Sequence, residues 1–263
     1  MSGKPVKDNW EQSDAYELFI GRWSDLVAVE FLNWLALPSG LRWVDVGCGT
    51  GALSEAILDT TDPTSVVGVE PSAAFVRAAS ERLGARASLH VAPAQHLPLP
   101  DGSADIVVSG LVLNFIPDLP VALAEMKRVA PGGIVAAYVW DYTGGMQMLC
   151  LFSDAADEVD PAGTPTESRR FPLCSPPALT AAFVDAGLAD PEVVPLDIPM
   201  PFADFETFWA PFTGGQGAGP SYLRTLDPEK QAAIKESMRR RVPAAADGSI
   251  SLTGRAWAIR SSV

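Results

Sequence analysis

Short apolar runs alternate along this chain with segments whose apolar positions recur every three or four residues. The runs Leu41–Val46, Val66–Glu70, Asp105–Ser109 and Gly133–Trp140 predict buried β-strands, and Ala87–Ala92 is a weaker run of the same kind. Between them, Ala52–Leu58, Pro71–Leu83 and Pro117–Val129 carry the helical period. In the last, Leu119, Leu123, Met126 and Ala130 fall on one face, and Pro117 suits a helix start because its missing N–H has no partner there anyway. Asp25–Leu37 predicts an earlier helix with an apolar stripe of Leu26, Val29, Leu32 and Leu37, widened by Trp34 and Leu35. Met146–Val159 and Pro176–Gly187 predict helices after the fifth strand, and Glu192–Ile198 and Ser249–Ile259 a sixth and seventh strand. Strand–helix alternation of this kind predicts an α/β layer architecture. Residues 199–248 are too long an excursion for a plain loop. They hold the aromatic residues Phe202, Phe205, Phe208, Trp209 and Phe212, a glycine-rich stretch at 213–219 and a charged helix, Asp227–Arg241.

Composition narrows the class. The chain has 263 residues, 48% hydrophobic and 19% charged, which is too apolar for an intrinsically disordered chain. We read it as a single domain, 1–263, carrying 199–248 as a lid insertion. No apolar run approaches the ~20 residues that span a bilayer. The segment MSGKPVKDNWEQSD has no apolar core, so no secretory signal is expected. Three scattered cysteines, Cys48, Cys150 and Cys174, make neither a disulfide framework nor a metal-ligand spacing, so a cytoplasmic protein without a bound metal is expected. The net charge of −13 opposes nucleic acid as a partner. The excess lies in the first 199 residues, net −15, while 200–263 are net +2.

The sharpest chemical signal is Val44-Asp45-Val46-Gly47-Cys48-Gly49-Thr50-Gly51. An apolar strand runs straight into glycines and then into a helix, so backbone can approach a ligand closely at a helix N-terminus. The spacing is G-x-G-x-G, not the dinucleotide G-x-G-x-x-G. Glu70 ends the next strand, nineteen residues past Gly51, where a carboxylate can take both hydroxyls of a ribose.

With these residues the chain resembles the class I S-adenosylmethionine (SAM)-dependent methyltransferases of the ubiquinone/menaquinone-biosynthesis type (methyltransferase type 11). VDVGCGTG is similar to that family's first motif and VVGVEPS, 66–72, to its second. VAPAQHLPLPDGSADIVVSGLVLNFIPD, 91–118, is similar to the third and fourth, and EMKRVAPGG, 125–133, to the approach to the fifth strand. The resemblance covers about 41–140. It implies a Rossmann-like doubly wound sheet of seven strands in the order 3-2-1-4-5-7-6, strand 7 antiparallel, with a helical lid. It implies SAM as cofactor and S-adenosylhomocysteine as product.

Carried over residue by residue, it places Gly47, Gly49 and Gly51, with Cys48 between them, under the methionyl and ribose parts. Asp45 would face the methionyl ammonium, and Glu70 would hold the ribose hydroxyls. Pro71, Ser72 and Phe75 would flank the adenine, and Ala94 and Gln95 would meet its edge. Ser109 and Leu111 would pass beside the sulfonium, and Arg22 would pair with the cofactor carboxylate. The family often has His-His where this chain has Asn114-Phe115.

The acceptor side is less legible. Asn114, Asp141 and Tyr142 are candidate catalytic residues. Tyr16, Trp23, Phe208 and Trp209 are candidate substrate contacts, the last two reading first as the core of the insertion and second as a substrate wall. Methyl transfer needs little more than nucleophile and methyl held in line in a dry pocket. The expected function is transfer of a methyl group from SAM to a small, partly apolar molecule, at oxygen or carbon, by a monomer or homodimer without membrane or nucleic-acid partners. The alternatives are a SAM-binding module, a SAM-utilising enzyme without methyl transfer, and a nicotinamide-dependent oxidoreductase.

Overall fold

The computed structural model describes residues 21–161, 171–214 and 217–263. Tyr16 and residues 215–216 of the glycine-rich stretch lie outside them. The described residues fall into two compact units. A sheet unit holds Ser24–Trp140, Pro172–Leu196 and Ala256–Val263. A helical unit holds the described residues of Met1–Trp23, Asp141–Phe171 and Asp197–Arg255.

The strands are β1 (Arg42–Val46), β2 (Ser65–Glu70), β3 (Ser88–Val91), β4 (Ile106–Gly110), β5 (Ile134–Trp140), β6 (Ala189–Phe202) and β7 (Ile250–Ser262). They form one seven-stranded sheet in the order β3-β2-β1-β4-β5-β7-β6. β1 pairs parallel with β2 and β4, β2 with β3 and β4 with β5, while β7 runs antiparallel to β5, Ile134 facing Ser262 and Trp140 facing Ala256. Parallel strands buried on both faces carry continuous apolar sequence, which is why Trp43–Val46 and Val135–Trp140 are buried without alternation.

The helices of the sheet unit are α1 (Arg22–Leu35, entering from the helical unit), α2 (Ala52–Thr60), α3 (Ala73–Leu83) and α4 (Leu119–Val129). In α1 the buried face is Val27, Ala28, Phe31, Leu32 and Leu35, with Phe31 against Tyr138 at 4.7 Å between ring centres. Leu26 and Val29, expected in the stripe, are 43% and 39% exposed. The positions 27, 28, 31 and 35 hold a better helical period than 26, 29, 32 and 37. The helix α4 starts two residues later than expected. Asp118 caps it, its carboxylate accepting from the Val121 N–H, so Pro117 precedes the cap and Pro120 takes the first turn.

After β5 come α5 (Gln147–Val159), α6 (Pro176–Asp185), α7 (Phe205–Thr213), α8 (Ala218–Thr225) and α9 (Pro228–Arg241). The helical unit reaches beyond 199–248, because α9 packs along α5. Phe152 of α5 stacks on Phe212 of α7 at 4.8 Å, and Glu158 takes Ser237, Arg240 and Arg241 of α9.

β6 is longer than the alternation of 192–198 indicates, and it carries prolines at 191, 195, 199 and 201. Backbone N–H groups of a strand alternate sides, so four prolines at odd positions all remove donors from one side. β6 is an edge strand, where one side has no strand neighbour and proline is tolerated. No described helix is long and apolar enough to cross a membrane.

Candidate functional site

The carboxyl ends of β1, β2 and β4 lie side by side, since Val46 is level with Val69 and Asp45 with Val108. The strand order reverses between β1 and β4, and ligands bind open α/β sheets at such a reversal. The chain leaves β1 as a tight loop. The Gly47 and Cys48 N–H groups both donate to the Val69 carbonyl, and the Gly51 N–H donates to the Cys48 carbonyl. Gly47, Gly49 and Gly51 have φ of 75°, 54° and 93°, where side chains are disfavoured. A Cβ on Gly47 would sit 2.5 Å from Val112 Cγ1, whereas one on Gly49 would meet nothing within 4 Å. The loop is packed on one side and open on the other.

Two carboxylates are anchored here. Glu70 is 7% exposed; the Gly49 N–H donates to its Oε2 at 3.2 Å and the Ser72 N–H to its Oε1 at 2.9 Å. Burial pushes its pKa up, and these two hydrogen bonds partly oppose that. Asp45 is fully buried. The Ser54 hydroxyl donates to its Oδ2 at 2.7 Å, and its Oδ1 has no partner among the described residues. Burial first, and the Glu70 charge after it, raise the Asp45 pKa to about 7 against the pull of Ser54. An orphaned buried carboxylate oxygen beside open glycine backbone fits a cationic ligand group better than an anionic one.

Cys48 is buried with its thiol packed against β2. A Cβ on Gly68 would lie 2.8 Å from its Sγ, and burial with the charges of Asp45 and Glu70 raises the thiol pKa far above its usual range. It stays protonated and unreactive. Ser72 caps α3, its Oγ accepting from the Phe75 N–H. Pro71 is exposed, while Phe75 and Gln95 are half-buried and Ala94 is buried. At the end of β4, Ser109 donates to the Val46 carbonyl at 2.8 Å, and Leu111 holds a left-handed φ of 63° with its N–H on the Tyr138 carbonyl. A leucine in that region costs on the order of 1–2 kcal/mol, and such strain collects at functional sites.

Three contributors have no site role in the sequence reading, although Glu125 and Arg128 lie within EMKRVAPGG. Ser54, the partner of Asp45, reads only as one polar position on the buried face of α2. Glu125 and Arg128 clamp the segment after β3. Arg128 donates to the Leu97 and Leu99 carbonyls and to Asp101, and Glu125 accepts from the Leu97 N–H and from Arg128. The Arg128 guanidinium holds the Glu125 carboxyl below the usual carboxylate range.

Of the acceptor-side candidates, Asn114 belongs to the sheet unit. Its Nδ2 donates to Cys174 Sγ at 3.2 Å, and its Oδ1 is buried without a partner. The others belong to the helical unit. The Asp141 carboxylate accepts from the Thr143 N–H and hydroxyl and so closes the turn before α5. Tyr142 leans on Phe171 at 5.2 Å. Phe208 is wholly buried and Trp209 nearly so, both inside an aromatic core with Phe205 and Phe212. Arg22 and Trp23 stack together beside Phe202. Among the described residues no group of His, Cys, Asp or Glu has a metal-binding arrangement.

Residues 44–137 match the family model described as a methyltransferase domain. The chain is 32% identical over 154 residues to the malonyl-[acyl-carrier protein] O-methyltransferase of Geobacter sulfurreducens, covering 58% of this chain and 57% of that one. It is 33% identical over 144 residues to the trans-aconitate 2-methyltransferase of Pseudomonas paraeruginosa, covering 53% and 50%. The chain thus spans about half the length of the curated relatives it matches. Among solved structures, phosphoethanolamine N-methyltransferase 2 of Haemonchus contortus, bound to S-adenosylhomocysteine, shares the fold. Its TM-score is 0.56 at 18% identity, over 95% of this chain and 56% of that one. The glycine loop, both anchored carboxylates and the end of β4 all lie within 44–137, the segment that matches the methyltransferase domain model.

Proposed function

We propose that this protein transfers a methyl group from SAM to a small, partly apolar molecule, with oxygen or carbon as the nucleophile. The observation that carries the reading is the pair of anchored carboxylates at one loop. Glu70 is held by the Gly49 and Ser72 N–H groups, and Asp45 has one buried oxygen without a partner. Glu70 is fixed in orientation before any ligand arrives, so a ribose diol meets a preorganised acceptor. Asp45 offers Oδ1 to the methionyl ammonium, and the open side of Gly49 lets backbone close on the ligand. Bound SAM supplies a methyl already activated on a cationic sulfur. The protein's part is then to hold, orient and keep dry, with no obligatory general base.

Oxygen or carbon is favoured by the end of β4. Ser109-Gly110-Leu111-Val112 stands there, where resembling enzymes that methylate planar nitrogens or glutamine amides carry an Asn-Pro-Pro-Tyr-like tetrapeptide. Ser109 is engaged by the Val46 carbonyl, and a Cβ on Gly110 would meet the Tyr138 hydroxyl at 2.6 Å, so no amide is presented. The name of the Geobacter relative, an O-methyltransferase, agrees.

Calorimetric titration with SAM and S-adenosylhomocysteine tests the cofactor half. Micromolar binding of both is expected, and binding of neither overturns the reading. Labelled-methyl transfer to a panel of hydroxyl, carboxyl and enol acceptors, run against amines, then tests the nucleophile; transfer only to amines overturns that part.

A further inference from the structure

Tyr138 lies on β5, two strands away from β1, and is 2% exposed. Phe31 of α1 backs its ring, with ring centres 4.7 Å apart. The far end of the ring reaches β4. A Cβ on Gly110 would sit 2.6 Å from the Tyr138 hydroxyl oxygen, 2.8 Å from Cζ and 3.2 Å from Cε1. Gly110 does not hold a left-handed φ, so its own backbone makes no demand for glycine. Glycine fits there because the tyrosine ring fills the space a side chain would take. A ring packed between Phe31 and β4 has little room to swing aside.

Tyr138 also holds the next residue through its backbone. The Leu111 N–H donates to the Tyr138 carbonyl at 2.8 Å, and Leu111 has a φ of 63°. A leucine keeps so disfavoured a conformation only where its surroundings fix it. Tyr138 fixes it from the β5 side, by its ring at 110 and its carbonyl at 111. On the other side the turn delivers Val112 to the glycine loop. A Cβ on Gly47 would sit 2.5 Å from Val112 Cγ1 and 2.8 Å from Cγ2. Gly49, two residues further on, donates its N–H to Glu70. Close contacts therefore run unbroken from Tyr138 to the loop that orients Glu70, and all these residues belong to the sheet unit.

We propose that Tyr138 is a positioning residue for the cofactor: it sets the Gly110–Val112 turn and, through Val112 against Gly47, the glycine loop that orients Glu70. It acts through that turn and not on the reacting atoms. The proposal rests on the reading of the loop as the SAM site.

The test compares the full chain with Gly110→Ala, Tyr138→Leu and the double variant. Calorimetry reads their affinity for adenosine and S-adenosylhomocysteine, and hydrogen exchange reads the Leu111 and Gly47 amides. Leucine lacks the three ring atoms that a Cβ on Gly110 would meet. Gly110→Ala is expected to weaken both ligands by about tenfold and to speed exchange at Leu111 and Gly47. Tyr138→Leu leaves the turn unsupported and weakens both ligands as well. The double variant binds both better than Gly110→Ala does, because the new methyl enters space the ring has left. Should Tyr138→Leu melt early, Tyr138→Phe removes only the nearest atom and gives a partial recovery with Gly110→Ala. A Gly110→Ala variant that binds both ligands as the parent does overturns the proposal. So do losses that simply add in the double variant, and so does a fall in Tm with affinity unchanged. A parent that binds neither ligand overturns the cofactor reading of the loop and Tyr138's role in binding with it, while exchange at Gly47 in Gly110→Ala still decides whether Tyr138 sets the loop.

Discussion

Ser54 donates a 2.7 Å hydrogen bond to one carboxylate oxygen of Asp45 and leaves the other oxygen buried and unpaired. Asp45 is thus half-satisfied, and its pKa, about 7, lies well above its ordinary value. The fold therefore prefers Asp45 protonated. The stability this preference contributes is fully present below about pH 4 and is lost as the pH rises through about 7. A ligand cation at Oδ1 reverses the preference by favouring the carboxylate. We expect SAM binding to tighten as the pH rises from 5 to about 7 and to release a proton over that range. Calorimetry in two buffers of different ionisation enthalpy reads the proton directly. Asp45→Asn should bind SAM more weakly and abolish both the proton release and this part of the pH dependence; a proton release that survives in Asp45→Asn contradicts the assignment.

Ala36 follows the last turn of α1 with φ 45°, its N–H on the Leu32 carbonyl. That left-handed position at a helix end is glycine's place, because a Cβ is penalised there. Ala36→Gly should stabilise the protein by roughly 0.5–1 kcal/mol, raising Tm by a few degrees for a chain of this size. Scanning calorimetry checks it, and an unchanged or lower Tm means the Ala36 side chain packs usefully.

The parts of this molecule legible in the sequence are those where one physical demand dominates. Strands buried on both faces must be apolar, so Arg42–Val46 and Ile134–Trp140 announced themselves to within a residue. The glycine loop was legible because three positive φ values in five residues admit little else. The buried face of α1 was not. Leu26 and Val29 are apolar and exposed, so composition alone misplaces the stripe. The cap of α4 was misread at Pro117 because Asp118 competes for the same end. The extent of the helical unit was hidden as well, since the stacking of Phe152 on Phe212 joins segments sixty residues apart that no local pattern links. Ser54 and the Glu125–Arg128 clamp are tertiary facts of the same kind.

Arg128 should matter more than a surface arginine does. It spans two backbone carbonyls and two carboxylates and so fixes residues 97–101, which follow the segment carrying Ala94 and Gln95. Arg128→Ala removes charged hydrogen bonds whose loss typically costs about 1.5–3 kcal/mol in all. Hydrogen exchange should rise across 94–101 and leave β1 unaffected. Uniform exchange throughout the chain would instead mean that Arg128 supports the fold as a whole.

Glu70 gives the most direct check on the cofactor reading, because both its oxygens are spoken for. Gly49 and Ser72 each donate one N–H to it, leaving the remaining lone pairs for a ligand. Glu70→Gln keeps the shape but turns one acceptor into a donor, which then faces a backbone N–H. The variant therefore loses the charge and also sets a repulsion in the loop. Glu70→Ala removes the charge-assisted pair with the ribose and leaves both N–H groups unpaired. Each substitution should weaken SAM binding by roughly 1–3 kcal/mol, tenfold or more at the centre of that range. Adenosine, which has the ribose but not the methionyl part, should lose a similar factor, while Asp45→Asn should leave adenosine binding unchanged. Calorimetry with both ligands on both variants separates the two carboxylates. An adenosine affinity insensitive to Glu70 but sensitive to Asp45 would exchange their roles, and an affinity insensitive to both would move the nucleoside elsewhere.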